Sequence, residues 1–429
     1  MINESKGYME SHYQVLIIGG GTAGIMTAAQ ILKKKQSISI AIIEPADTHY
    51  YQPAWTLVGA GTYDFKKTGK PMKDVMPQGI KWIKDLATFF KPEKNTVKTK
   101  ASGALTYDYL VVSPGLVMEP SLIEGLTEAL DKGVVCSNYT DPNHTWDVIK
   151  KFKGGNAIFT QPTTPIKCGG APQKIAYLAS DYFRKKGILK NTNVIFATPG
   201  SVIFGVKPIR DTLMKVIGRY GINFKPFYAP FKIDAEKQIA YFKHVAPAEN
   251  KCIVNEDNDI GEISTDENII QIPFDMLHLA PPQSAPDFIK KSKIAHQDGP
   301  SKGWIDVNKY TLQSNKYANV FALGDSAALP TAKTGAAVRK QAPVVVENLF
   351  RVMNKETTMQ EGYHGYSSCP LVTGYGKMVL AEFKYDNIRD SDPLISTFMD
   401  TGKESYLMWL LKKYGLPILY WEGMMKGRM

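Results

Sequence analysis

Cys168 sits between two lysines in the run Gln161-Pro162-Thr163-Thr164-Pro165-Ile166-Lys167-Cys168-Gly169-Gly170-Ala171-Pro172-Gln173-Lys174. An ammonium beside a thiol lowers its pKa and draws in an anionic substrate, so this spacing suits thiolate chemistry. Two solvated lysines fit the same spacing. Three further cysteines stand at Cys136, Cys252 and Cys369. None pairs as CxxC and no Cys/His set has zinc spacing, so no metal is expected. Four scattered thiols in 429 residues are too few for a disulfide framework. Cys136 retains a minor claim to a redox role, and Cys252 is read as incidental. His49, His144, His244, His278, His296 and His364 have no ligand spacing and are read as structural or surface residues.

A second chemistry belongs to the glycines. Gly19-Gly20-Gly21-Thr22-Ala23-Gly24 follows the apolar run Tyr13 to Ile18 and opens a helical pattern from Ile25. Gly19 and Gly21 let the backbone turn tightly and approach a pyrophosphate, and Gly24 lets helix and strand pack closely. Ala23 lies in the same turn. The helix N-terminus presents free N–H groups and a partial positive charge to phosphate. Glu44 ends the next apolar strand, in place to accept hydrogen bonds from adenosine ribose hydroxyls. A glycine-rich turn without a ligand has no need of that context.

These residues need a parallel α/β frame. The strand–helix–strand unit over Tyr13 to Glu44 begins a doubly wound sheet. Strand patterns recur at Gly79 to Ile83, Thr96 to Thr99 and Tyr107 to Ser113, and a second alternating series follows. It comprises a helix over Thr145 to Lys153, a strand over Asn156 to Thr160, a helix over Gln173 to Lys185, a strand over Asn193 to Thr198 and a helix over Pro208 to Tyr220. A meander is expected at Ile233 to Phe242 and Glu262 to Ile272, then a buried strand at Phe274 to Ala280. Asn319 to Asp325 returns to the first sheet, and Ala336 to Asn354 is helical. The expected fold is therefore two Rossmann-like dinucleotide-binding domains plus a C-terminal amphipathic segment. Residues 1–118 and 301–361 form the first domain, 119–300 the second, and 362–429 the C-terminal part.

Gly324-Asp325, ending a late strand, resembles the segment of two-domain flavoproteins whose carboxylate meets the ribityl chain of FAD. Ser113-Pro114-Gly115 occupies the place of their Ala-Thr-Gly turn. The resemblance implies FAD in the first domain, with Gln52, Ala87, Pro114, Gly115, Asp325, Lys333, Gly335 and Ala336 among its contacts. Lys333 is placed to face the flavin pyrimidine edge or a quinone, and the helix start near Gly335 to stabilise reduced flavin. The second domain lacks a GxGxxG where NADH would bind, and Pro162 and Pro165 stiffen that loop. A pyridine nucleotide has a poor seat there.

Thr164 to Lys174 and Gly365-Tyr366-Ser367-Ser368-Cys369-Pro370-Leu371-Val372-Thr373-Gly374-Tyr375 resemble the two redox-cysteine segments of the sulfide:quinone oxidoreductases, closest to their mitochondrial-like branch. The likeness runs almost the whole chain and includes Tyr50 to Thr56, Ile203 to Lys207 and Leu329 to Thr334. It implies a Cys168–Cys369 disulfide that sulfide opens by thiol exchange, with Cys369 facing the flavin and Cys168 carrying the persulfide. It further implies a quinone (ubiquinone or menaquinone) as co-substrate, and glutathione, another thiol or sulfite as sulfur acceptor. A homodimer belongs to the same expectation. The rivals are an NADH:quinone dehydrogenase, a flavocytochrome-type sulfide dehydrogenase and a non-enzymatic flavin scaffold.

The net charge of +11 is not gathered into a basic run interleaved with aromatics, so nucleic acid is not expected as a partner. No apolar window is long enough to span a bilayer and no leader pattern is visible. Glu404 to Met429 reads as two short helical pieces flanking Gly415 to Pro417. Each carries an apolar and aromatic face beside Lys412, Lys413, Lys426 and Arg428. The expected role is monotopic contact with a membrane, bacterial or mitochondrial inner, the cations meeting headgroups. A helix pair packing inward fits the same pattern. Phe350, Phe383, Tyr406 and Tyr420 are candidate quinone-pocket residues.

Overall fold

The computed structural model describes residues 11–247, 257–265 and 268–429; Cys252 lies outside them. Ser11–Ile18 is the parallel centre of the first sheet, flanked by Ile40–Ile43 and Ala104–Val112. Val15, Leu16 and Ile17 are wholly buried, as a strand covered on both faces requires. Lys81–Ile83 extends one side, and Thr96–Thr99 and Ala87–Lys91 add antiparallel strands beyond Ala104–Val112. Val320–Ala322 returns to pair with Ala104–Val112, bringing Gly324 and Asp325 to the carboxyl ends of the strands. Ligands in open α/β sheets bind along that edge.

The second sheet is wholly parallel: Val135–Cys136, Met276–Leu279, Gly155–Thr160, Thr192–Thr198 and Asn223–Pro226, in that spatial order. Helix Ala171–Lys185 packs on it. A four-stranded antiparallel sheet lies beside it. There the expected run Ile233 to Phe242 is divided between Tyr228–Asp234 and Ile239–His244, because Asp234 accepts the Lys237 N–H and turns the chain.

A hairpin that the sequence reading did not anticipate, Ser367–Gly374 with Lys377–Phe383, packs against helix Ala171–Lys185. Asp181 of that helix accepts the Tyr375 N–H, and Tyr220 donates to the Thr373 carbonyl. Arg219 binds the Thr373 carbonyl and the carboxylate of Glu404. This docking carries Cys369 to the N-terminus of the helix that begins three residues after Cys168.

The C-terminal segment departs from expectation. Gly415 has ordinary helical angles (φ −72, ψ −50), and the chain is helical throughout from Tyr406 to Met424. Its middle and end are π-helical, Leu411–Gly415 and Leu419–Met424. The wider i→i+5 turns accommodate Pro417, which has no N–H to give and crowds the preceding turn. Tyr420, Trp421, Met424 and Met425 are buried in the core of the first domain. Gln30 and Lys33 of helix Thr22–Lys34 donate to the carbonyls of Met429 and Gly427. The segment is built into the fold, while Tyr406, Leu407, Tyr414, Ile418 and Leu419 of its other face are exposed.

Candidate active site

Helix Thr22–Lys34 starts at Gly21 without a side-chain cap, leaving its first N–H groups free for an anion. A side chain at Gly21 would meet nothing within 4 Å, so the backbone there borders open space. Gly19 and Gly24 serve the turn itself. A Cβ on Gly24 would lie 2.0 Å from the Gly19 carbonyl oxygen, and Gly19, at φ +95, would strike the Ser113 carbonyl oxygen at 2.4 Å. Glu44 accepts from the N–H groups of Gly20 (2.7 Å) and Ala46 (2.8 Å). Burial raises its pKa.

The loop opens into a cavity of about 810 Å³, within the usual range for a small-molecule site. Gly21, Ala23, Glu44, Gln52, Pro114, Gly115, Asp325, Lys333, Gly335 and Ala336 all line it. Ala87 does not. It lies in the core on the sheet's other side with Ile43, Ile83 and Phe90, because its strand is an outer antiparallel one. Burial raises the Asp325 carboxyl, while Lys167 and Lys333 pull it down. Lys333 donates to the Asp325 and Ala327 carbonyls, and burial brings it down to about 8. Helix Gly335–Met353 starts here, capped by Thr334, and its positive end favours a negative group in the cavity. An uncapped helix start, a carboxylate at the end of the next strand and a cavity of this size that also reaches Asp325 fit FAD.

Cys168 lies at the wall of this cavity, with Sγ 3.9 Å from Sγ of Cys369. Its backbone is left-handed at φ +51, a conformation costing an ordinary side chain about 1–2 kcal/mol. Three hydrogen bonds hold it there: its N–H donates to the Lys333 carbonyl, and its own carbonyl accepts from the Ala171 N–H and the Tyr139 hydroxyl. Lys174, only 2% exposed, points Nζ at Cys168 Sγ over 3.0 Å. The hydrogen bond from Cys369 and the Lys174 ammonium drive the Cys168 thiol well below its ordinary pKa. Cys369, 3% exposed, is driven well above it by the same thiol–thiol bond and by burial. Gly170 makes room for it, since a Cβ there would sit 2.6 Å from Cys369 Sγ. Thus Cys168 borders the cavity, and Cys369 packs behind it. The reason is local: the cysteine before the helix faces the first domain, and the hairpin cysteine packs behind it.

Lys412 also departs from expectation. It is 2% exposed and turns inward to the cavity, donating to the Pro53 carbonyl. Burial and the nearby Lys174 ammonium lower it to about 7. Lys413 donates to Thr62, and Lys426 and Arg428 both engage Glu422. His49 likewise lines the cavity rather than the surface. It hydrogen-bonds the Gly20 carbonyl and the Tyr420 hydroxyl, which also meets Thr22. Burial brings His49 down to about 4, so it is neutral. Of the four aromatic pocket candidates only Tyr420 lines the cavity. Phe350 and Phe383 pack in the core and Tyr406 is on the surface. Cys136 is buried on the second sheet, its thiol pushed up to about 12 by burial, which makes it inert.

Comparison with known proteins adds the family. Residues 13–151 match the pyridine nucleotide-disulphide oxidoreductase family. The mitochondrial sulfide:quinone oxidoreductase of Dictyostelium discoideum is 41% identical over 430 residues, covering 99% of this chain and 88% of that protein. The mitochondrial sulfide:quinone oxidoreductase of Mus musculus is 38% identical over 420 residues, covering 97% and 87%. Among solved structures, the sulfide:quinone oxidoreductase of Aquifex aeolicus superposes with a TM-score of 0.75 at 18% identity, over 96% of this chain and 91% of that one, a likeness of fold.

Proposed function

Because the chain belongs to the FAD-dependent sulfide:quinone oxidoreductases, we propose that Cys168 and Cys369 are its redox pair, Cys168 being the one that serves the flavin. The observation carrying this reading is the Cys168–Lys174 contact at the cavity wall. Closing the pair into a disulfide requires the sulfurs to approach by about 2 Å. Hydrosulfide then attacks Cys369 Sγ. The S–S bond breaks, Cys369 carries the persulfide, and Cys168 leaves as a thiolate. In such exchange the sulfur of lower pKa leaves faster, and Lys174 makes that sulfur Cys168.

Gly21, the start of helix Thr22–Lys34, Glu44, Pro114, Gly115, Asp325, Lys333 and the start of helix Gly335–Met353 are the residues to hold FAD. When bound, FAD supplies a two-electron acceptor for the thiol pair and a donor to quinone. Tyr139 and the Lys333 backbone hold Cys168 in position. A thiol or sulfite takes the sulfane sulfur from Cys369.

No helix among the described residues is long and apolar enough to cross a membrane. Peripheral attachment through the exposed apolar face of the C-terminal segment gives a lipid-soluble quinone its way in, and the relatives' names favour the mitochondrion.

Anaerobic titration tests the reading. Sulfide should bleach the flavin and NADH should not, while Cys168→Ser and Cys369→Ser should each abolish sulfide-driven quinone reduction with FAD retained. Prompt bleaching by NADH alone, or near-normal turnover in either variant, refutes it.

A further inference from the structure

A buried carboxylate stands on the cavity wall without a role in the thiol chemistry. Glu382, 4% exposed, is on the second strand of the Cys369 hairpin. Its Oε1 accepts from the Tyr366 hydroxyl at 2.6 Å and its Oε2 from the Asp392 N–H at 2.9 Å. Among the described residues, no lysine or arginine is within ion-pair distance of it. Arg339 instead donates to the Tyr366 oxygen at 3.2 Å. An ionised carboxylate buried without a paired cation is costly, and fold stability alone gives little reason to keep one. Burial and the Glu382 carboxylate push the Tyr366 phenol up and the Arg339 guanidinium pulls it partly back. The phenol therefore keeps its proton until a base forms beside it, and a carboxylate behind the O–H can return a proton to it.

The surroundings identify which substrate would meet this pair. Glu382, Tyr366 and Arg339 share the cavity with Pro370, Leu380, Ile395, Leu411, Leu416 and Leu419. Ile395 belongs to helix Pro393–Phe398, whose Leu394 and Phe398 are 77% and 85% exposed. Apolar walls beside this buried polar cluster suit a long apolar molecule with a carbonyl head. Hydrosulfide needs neither feature.

We propose that Tyr366 and Glu382 deliver a proton to the quinone carbonyl, with Arg339 stabilising the phenol oxygen. This rests on the quinone-reducing function given above. Reduction of a quinone to a quinol takes two electrons, supplied by the sulfide half-reaction through FAD, and two protons. The Tyr366 O–H turns from Glu382 to the nearer quinone oxygen and transfers its proton as the electrons arrive. Glu382 takes a proton from solvent water at the rim beside half-buried Asp392 and passes it to the phenolate. The far quinol oxygen is protonated by solvent as the product leaves. The charged and titratable groups around the relay include Arg339 and Lys340 on helix Gly335–Met353, Asp390 and Asp392 beside Glu382, Tyr363 on the Tyr366 carbonyl, and the two members themselves.

Stopped-flow measurement of the holoenzyme, reduced anaerobically with sulfide and then mixed with a short-tailed quinone, tests the relay across a range of pH. Tyr366→Phe and Glu382→Gln should each slow reoxidation about 100-fold, the lower end of general-acid contributions. Their kcat should fall with the KM for quinone within about threefold. Reoxidation within twofold of the parent in both variants, each with full FAD content and unchanged melting temperature, overturns the proposal. Because Tyr366→Phe keeps the ring, it decides the matter if Glu382→Gln fails to fold. A parent enzyme whose flavin sulfide does not bleach would overturn the functional reading instead.

Discussion

Lys174→Met isolates the electrostatic claim at the heart of the site. Lys174 is almost wholly buried, and its ammonium lies 3.0 Å from Cys168 Sγ. Methionine is unbranched and of similar length, so it fills the channel without bringing charge. A hydrogen bond to a charged group is worth roughly 1.5–3 kcal/mol. At about 1.4 kcal/mol per unit, its loss should raise the Cys168 pKa by about 1–2 units. Sulfide-driven flavin reduction should slow as well, since Cys168 becomes a poorer leaving group. The clean readout is the pH dependence of iodoacetamide alkylation of Cys168, with and without Lys174→Met, in a Cys369→Ser background. The midpoint should move up. A shift below about 0.3 unit, or a shift downward, refutes the claim that Lys174 sets this thiolate, because less than about a third of the smallest expected effect would then be present. A melting temperature that falls while the midpoint stays would assign Lys174 to packing alone.

Gly21→Ala should leave the apoprotein's melting temperature unchanged but weaken FAD binding, because its Cβ projects into open cavity. Gly24→Ala should destabilise the protein itself, its Cβ striking the Gly19 carbonyl; flavin fluorescence on dilution and calorimetry separate the two. Lys412, lowered from 10.5 to about 7 in the fold, binds fewer protons folded than unfolded between those values. Stability should therefore fall as pH drops from about 10.5 to about 7 and level off below. Lys412→Met should flatten the melting temperature between pH 9 and pH 7, and an unchanged slope would remove Lys412 as its source. Leu407→Glu with Ile418→Glu, both on the exposed face, should lower partitioning onto liposomes without lowering FAD content. Unchanged partitioning would locate the membrane contact elsewhere.

Much of the first domain could be read from the sequence because each part is local. The Ser11–Ile18 strand, the glycine turn and Glu44 lie within one unit, and each residue type there has a single backbone reason. Gly324-Asp325 was legible for the same reason, standing at a strand end. What escaped was long-range. The Cys369 hairpin carried a signal in two apolar runs around Gly374 and Gly376, yet its docking on helix Ala171–Lys185 is a tertiary fact. That docking decides which thiol borders the cavity, and no spacing reveals it. Lys412 looked like a surface cation because an amphipathic pattern assumes 3.6 residues per turn, whereas the π-helical turn at Leu411–Gly415 shifts the faces. His49 has no ligand spacing because its partners are the Gly20 carbonyl and Tyr420, hundreds of residues apart in sequence.

The same logic explains why truncating the chain before Glu404 is a poor test of membrane attachment. Tyr420 joins Thr22 and His49 by hydrogen bonds, and Trp421, Met424 and Met425 complete the first domain's core. Removing these residues strips a wall from the cavity, beginning at the helix that starts the phosphate turn. One segment therefore presents its apolar face outward, closes the cavity over Gly20 to Ala23, and sets Lys412 among the charges around the two thiols. Loss of partitioning after truncation could come from any of these, whereas surface substitutions at Leu407 and Ile418 touch only the first. A protein that must admit a lipid-soluble oxidant and an anionic sulfur nucleophile to one redox centre gains from having both approaches bounded by the same helix. The buried face of that helix fixes the centre, and its exposed face is the one that the Leu407 and Ile418 substitutions probe.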